Sequence, residues 1–348
     1  YLGYLFLGNK DKGQFILSFI IIYALALLAD VITDVAFVKK MGLESVFFSV
    51  LIGLIVRNTI GLPKWMGAAV RSEYYIKAGL VILGSSILFG EIMRAGSLGM
   101  IQAVIVVLSV WYFSFWVSRK MGVDSEMSMM LSSSVSICGV SAAIATCGAI
   151  KGDPKKLSFI VSLVLIVAIP MMYILPFFAK WMGLSEQVAG AWLGGTIDTT
   201  AAVVASGKFI GETAEQYSVI IKSAQNVLLG VAAFAISIYW SYKGTNSNIR
   251  PSGSVLWERF PKFVLGFLVA SLIFSFAFEP ATGKSLSKIA QESRGLLFSL
   301  AFVCIGLETS FRDIFKKENS KYIWSFLIAQ GFNIVLTLVV AWFLFRSF

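Results

Sequence analysis

Histidine is absent from all 348 residues. That absence excludes Ser-His-Asp and Cys-His catalysis, and with them histidine-ligated zinc and haem. Charge is scarce: Asp, Glu, Lys and Arg together make up 14% of the chain, against about 25% in soluble domains. A chain so poor in charge cannot clothe a water-facing surface. Cysteine is limited to Cys138, Cys147 and Cys304. All three lie in apolar runs, without the spacing of a metal site or a disulfide framework, so they read as small buried hydrophobes. No G-x-x-x-x-G-K-[ST] loop occurs, so any transport must draw on gradients or on a partner rather than on a nucleotide site of this chain. No paired catalytic aspartate motif suggests an intramembrane enzyme, and the sequence is read as a non-enzyme.

What remains is apolar. Hydrophobic residues make up 57% of the chain and the mean hydropathy is +0.82. They come in blocks of about 20, the length that crosses a hydrocarbon core of about 30 Å as a helix. Val104–Val110 shows none of the alternation of a barrel strand. The fold class expected is all-α, a polytopic membrane protein of about ten or eleven segments. These are 15–38, 46–60, 75–89, 98–117, 127–150, 157–181, 188–209, 218–240, 263–278, 295–307 and 322–345. The 157–181 block should kink at Pro170 and Pro176. The net charge of +10 would raise nucleic acid as a partner of a soluble protein. Here Lys and Arg fall between apolar blocks, where membrane lipid headgroups are the partner and nucleic acid is not. The polar link 241–261, with Lys243, Arg250 and Arg259, and the link 312–321 are expected to face the cytoplasm. The chain opens at Tyr1, so it reads as trimmed, and no signal peptide is recognisable before the first block.

Two segments are apolar without the Leu, Ile, Val and Phe of a lipid-facing helix. Residues 132–152 read SSSVSICGVSAAIATCGAIKG and residues 194–212 read GGTIDTTAAVVASGKFIGE. They match at an offset of sixty: Ile137 with Ile197, Ala142 with Ala202, Ala145 with Ala205, Ile150 with Ile210. Ser136 pairs with Thr196, and Ser158 with Ser218 continues the register. Two readings are open. Small residues allow close helix packing. Paired Gly/Ser/Thr-rich stretches at membrane depth also mark the broken helices of transporters, whose half-helix N-termini suit an anion. On the second reading, residues 134–142 and 194–200 each interrupt a helix near mid-membrane, close together. Weaker echoes between 76–83 and 221–229 suggest inverted five-segment repeats over 46–181 and 182–348, after an extra N-terminal segment at 1–45.

The candidate site follows from these stretches. Ser136, Cys138, Gly139 and Ser141 come from the first, and Gly195, Thr196, Asp198, Thr199 and Thr200 from the second. Asp198 is the central residue. A carboxylate at membrane depth costs about 2.5–3.5 kcal/mol on insertion scales, so it is kept for a partner or a function. Na⁺, a proton or a cationic side chain would each serve. Arg57, Asn58, Lys222 and Asn226 are the polar residues expected to meet it or the substrate, with snorkelling to the interface the alternative for the two cations. No cofactor is expected beyond a coupling H⁺ or Na⁺. Gln330 and Asn333 read as interhelical hydrogen-bonding groups.

SICGVSAAIAT at 136–146, GAWLGGTIDTTAAVVASG at 190–207 and GLIVRN at 53–58 resemble the YeiH-type family, whose members are labelled sulfate exporters. The resemblance covers nearly the whole chain in order and spacing. It implies a fold similar to the bile-acid-sodium-symporter and cation/proton antiporter proteins, with inverted five-helix repeats and crossing broken helices. It further implies a panel domain moving past a core domain, a homodimer, a bacterial inner membrane and a small anionic substrate such as sulfate or an organic sulfonate or carboxylate. One departure matters. Many family members place a His–acidic pair where this chain has Asp198-Thr199, and Gln where it has Ala202. The loss of the imidazole would move any proton coupling onto the carboxylate. An anion channel, which needs a continuous pore, and an intramembrane enzyme remain the alternatives.

Overall fold

A computed structural model of the chain describes residues 12–35, 45–63, 65–87, 89–242, 262–278, 280–309 and 319–347. The links with Lys243, Arg250 and Arg259 and with Arg312 lie outside the described residues, so the expected cytoplasmic orientation finds no test there. The described residues form thirteen α-helices and no strand. In chain order these are α1 Lys12–Asp34, α2 Ser45–Thr59, α3 Ser72–Leu83, α4 Phe89–Lys120, α5 Ser125–Ser133, α6 Val140–Ile150 and α7 Pro154–Trp181. They continue as α8 Glu186–Thr196, α9 Thr200–Ile210, α10 Glu212–Tyr242, α11 Lys262–Phe276, α12 Pro280–Glu308 and α13 Ser320–Phe345. Helices α1, α4, α7, α10 and α13 are long and apolar enough to cross a bilayer. The chain is an all-α integral membrane protein. α7 stays helical through Pro170 and Pro176.

The helices group into two compact units, each assembled from separate stretches of sequence. The first contains residues 1–86 and 266–312, and the second 87–265 and 313–348. In the first unit α12 packs along α2 and α3. Gly53 and Gly306 make the α2–α12 approach possible: a Cβ at Gly53 would lie 2.8 Å from Gly306 Cα. Small residues let helix backbones close in this way where lipid gives no hydrophobic drive. The carboxylate of Glu308 accepts hydrogen bonds from the Ser72 backbone N–H (3.1 Å) and hydroxyl (2.5 Å). It thereby caps α3 from the end of α12, within the same unit.

The second unit holds both small-residue stretches, and each doubles back on itself. A straight helix from 125 to 150 would hold its ends roughly 39 Å apart. Instead Glu126, at the start of α5, accepts hydrogen bonds from the backbone N–H of Asp153 and from Lys156 Nζ (2.9 Å). Likewise Glu186, at the start of α8, accepts from the Ala214 backbone N–H (3.2 Å), just past the end of α9. Gly194 on α8 and Gly207 on α9 both pack against Ser218 of α10. The stretches are therefore re-entrant hairpins, where crossing broken helices were expected. Segments 127–150 and 188–209 enter the protein and return. Irregular backbone at such a tip is tolerated because protein surrounds it.

Between the hairpins runs α7. It begins beside the first hairpin's base, where Lys156 binds Asp124 and Glu126, and ends at Trp181, just before the second base at Ser185. Its 28 residues span about 42 Å, more than a hydrocarbon core of about 30 Å. The two hairpins therefore enter from opposite faces. Helices α6, α8 and α9 each have 11 residues, about 16 Å of rise, which brings both tips to mid-depth.

Candidate functional site

The tips differ in how they turn. In the first, α5 passes into a π-helical segment, Ser134–Cys138, before the chain reverses at Gly139. Serine hydroxyls prepare this loosening by bonding back along their own helix: Ser132 to Ser128 O, Ser134 to Met130 O and Ser136 to Ser132 O, at 2.7–2.8 Å. Such bonds compete with the helical ladder. Gly139 has φ +58° and ψ −108°, a conformation only glycine adopts without strain. In the second, α8 stops at Thr196, and Ile197 and Thr199 are extended before α9 begins. The Thr199 hydroxyl caps α9 by accepting from the Ala202 N–H (3.3 Å). The offset of sixty noted in the sequence sets Val140–Ile150 on Thr200–Ile210, helix on helix and end on end.

The two turns touch. A Cβ built on Gly139 would stand 3.1 Å from Asp198 Cβ and 3.3 Å from Asp198 O. Four half-helix ends thus converge. The N-termini of α6 and α9 carry partial positive charge, and the C-termini of the π segment and of α8 carry partial negative charge.

The carbonyls freed at the two C-termini are taken up by side chains from α10 and α13. Lys222 Nζ donates to Ile137 O (2.6 Å) and to Gln225 Oε1 (2.9 Å). Gln225 Nε2 bridges both tips, donating to Ser136 O (2.8 Å) and Gly195 O (3.3 Å). On the other side Asn333 Nδ2 bridges Val135 O and Thr196 O, both at 3.2 Å, and Gln330 Nε2 adds a bond to Thr196 O at 2.9 Å. Buried carbonyls are rarely left unpaired, and here four side chains pair them.

Asp198 is the exception. It is 1% exposed, and among the described residues neither carboxylate oxygen has a hydrogen-bond partner. Lys222, also 1% exposed, acts on it through space, while its own hydrogen bonds go to Ile137 and Gln225. Thr196 Oγ1, Gln330 Oε1 and Asn226 Oδ1 are likewise buried without a donor among the described residues. Asn226 Nδ2 reaches Thr200 Oγ1 at 3.4 Å. Val140, Ser141, Thr199 and Thr200 are only half-buried, so the N-terminal faces of α6 and α9 are the open side of the tip.

The structure therefore brings together Ser136, Cys138, Gly139, Ser141, Gly195, Thr196, Asp198, Thr199, Thr200, Lys222 and Asn226 in the second unit. Arg57 and Asn58 belong to the first unit. There Asn58 Nδ2 donates to Leu54 O (2.9 Å) and Thr309 O (3.2 Å), fastening the end of α2 to the end of α12. Sequence reasoning misses Gln225, and reads Gln330 and Asn333 only as interhelical glue. A signal was present: each pair, Lys222 with Gln225 and Gln330 with Asn333, is a polar i, i+3 pair in an apolar helix. Each pair lies ten and thirteen positions past its helix start. A cavity of about 510 Å³ is lined by Met127, Lys155, Ser158 and Tyr322 among others, at the base of the first hairpin rather than its tip. Its Lys156 is already held by Asp124 and Glu126.

Comparison with known proteins adds a family to this geometry. The family described as Conserved hypothetical protein 698 matches residues 16–338. A UPF0324 membrane protein of Nitratidesulfovibrio vulgaris is 37% identical over 99% of this chain and 62% of its own length. One of Rhodopirellula baltica is 38% identical over 97% of this chain and 64% of its own. The UPF0324 inner membrane protein YeiH of Escherichia coli O6:H1 is 27% identical over 90% of this chain and 94% of its own. The chain thus spans about three-fifths of the first two relatives. No solved structure matches. With the family matching all but the ends of the chain, this protein belongs to the UPF0324 membrane proteins, the family of YeiH.

Proposed function

We propose that the chain is a secondary transporter of a small anion, of the sulfate or organic sulfonate and carboxylate class, coupled to H⁺ or Na⁺. The observation that carries this reading is the pair of opposed re-entrant hairpins touching at mid-depth, with the unpartnered carboxylate of Asp198 at the contact. An ionised carboxylate cannot stay buried without a donor or a counter-ion. It must bind a proton, bind a cation, or open to water during the cycle. The N-terminal ends of α6 and α9 supply N–H groups and dipole charge for an anion beside it.

Every tip residue belongs to one of the two compact units, which supports an elevator mechanism in which that unit carries the site. The inner membrane named for the Escherichia coli relative is the location proposed here, and a homodimer is the proposed assembly. The test is anion flux in proteoliposomes under imposed pH or Na⁺ gradients, with wild type and Asp198→Asn compared at equal thermal stability. Asparagine keeps the shape but neither carries a proton nor neutralises a cation. Gradient-driven flux should vanish in the variant while folding persists. Unchanged flux would remove Asp198 from the coupling machinery.

A further inference from the structure

The two tips solve one problem by different chemistry. At the end of α8, Thr196 O is satisfied by neutral amides, Gln330 and Asn333. At the tip of the first hairpin, Ser136 O is satisfied by the neutral amide of Gln225 and Val135 O by that of Asn333. Amides therefore suffice to pair the freed carbonyls of either turn. Yet Ile137 O receives an ammonium, from a lysine buried to 1% exposure at mid-depth. Burying an ammonium is costly, and a side chain chosen only to pair a carbonyl would be a glutamine. The charge must have its own use.

The oxygens around Lys222 Nζ are those that would hold a free cation. One is a backbone carbonyl at the negative end of a half-helix, the other a side-chain amide oxygen fixed in orientation because its nitrogen serves Ser136 O and Gly195 O. Unwound carbonyls and half-helix C-terminal ends are what transporters offer to Na⁺. Asp198 supplies the opposing charge through space. Besides Asp198, the one titratable group among the described residues that bears on the ammonium is the Cys138 thiol, on the same tip.

We infer that the tip of the first hairpin is a monovalent-cation site that Lys222 fills with a tethered ammonium, so that a free cation binds there only when the lysine is removed. The inference rests on the proposed transport reading only for the importance of the tip, and its test needs no transport. Lys222→Ala opens a space bounded by Ile137 O, Gln225 Oε1 and the charge of Asp198. Ammonium, methylammonium or Na⁺ chloride should then stabilise the variant by mass action, with a Tm that climbs as the cation is raised. Choline chloride, too large for the space, should not, and the wild type should show a smaller rise in every salt.

Lys222→Met, similar in shape though one atom shorter and uncharged, separates charge from packing. It should unfold at lower temperature than the wild type. Lys222→Met with Asp198→Asn should recover much of that loss, because the carboxylate is no longer left without its counter-charge. Should Lys222→Ala fail to fold in any salt, this pair of variants still decides. A Lys222→Met protein as stable as the wild type, a double variant no better than the single one, or an equal response of Lys222→Ala to choline and ammonium would each overturn the inference. Absence of anion flux in the wild type, with cation rescue of Lys222→Ala intact, would count against the transport reading alone.

Discussion

Gly139→Ala tests whether the hairpin contact is built as described. The backbone at Gly139 has a positive φ with ψ near −108°, and holding an L-residue in so sparsely populated a region costs about 1–3 kcal/mol. The added methyl would also lie 2.7 Å from Val164 Cγ1 on α7, besides the 3.1 Å approach to Asp198 Cβ. Overpacking of that kind costs about 1–3 kcal/mol, for a total of about 2–6 kcal/mol. The two contributions can be told apart. Val164→Ala removes the methyl that Gly139→Ala strikes, so the double variant should recover part of the steric share and none of the backbone share. The assay is thermal unfolding of purified protein followed by tryptophan fluorescence, alongside anion-dependent stabilisation of the same samples. Gly139→Ala should lower Tm and weaken the anion response, because Asp198 is crowded along with Val164. An alanine variant with wild-type Tm and anion response would mean that the tip is not closed around Gly139, and the convergence of the four helix ends would fall with it.

Two further outcomes follow from the packing around the tips. Asn333→Leu leaves Val135 O without its donor while Thr196 O keeps Gln330. The orphaned buried carbonyl should cost about 1–3 kcal/mol, and the Thr337 hydroxyl, which loses Asn333 Oδ1 as its acceptor, adds to it. The loss is read as a lower unfolding midpoint; an unchanged midpoint would show that Asn333 does not clamp the tips. At the first hairpin's base, burial pushes the Asp124 carboxyl up, but its bonds to Lys156 and to the Met127 N–H outweigh this and hold it below the usual range. A depressed folded pKa means the stabilisation is fully present above the unfolded value of about 3.9 and fades as pH falls through the folded value. Because the Asp124 side chain is 44% exposed, it is worth under about 1 kcal/mol. Asp124→Asn should thus lower Tm slightly at pH 7 and by less as the pH falls toward 3 and below. An equal deficit across that range would assign the effect to capping rather than charge.

Composition and periodicity settled that this is a helical membrane protein. A chain with so little charge and apolar blocks of bilayer length has no other way to satisfy its backbone. The sequence also marked the tips, because Gly, Ser and Thr at membrane depth and a lone Asp198 are costly unless they line something. It placed α6 and α9 in register at an offset of sixty. It could not show that the stretches return on themselves. A helix that breaks and continues and one that breaks and reverses share composition and length, and the difference lies in distant partners such as Glu126 with Asp153 and Glu186 with Ala214. Nor could it rank the cations. Arg57 and Lys222 look alike in sequence, each a basic residue near one end of an apolar segment. Only the fold buries Lys222 against Ile137 O and sets Arg57 in the other unit. Burial and partnership are properties of which helices meet, and that is decided by packing across the whole chain rather than by any local run of residues.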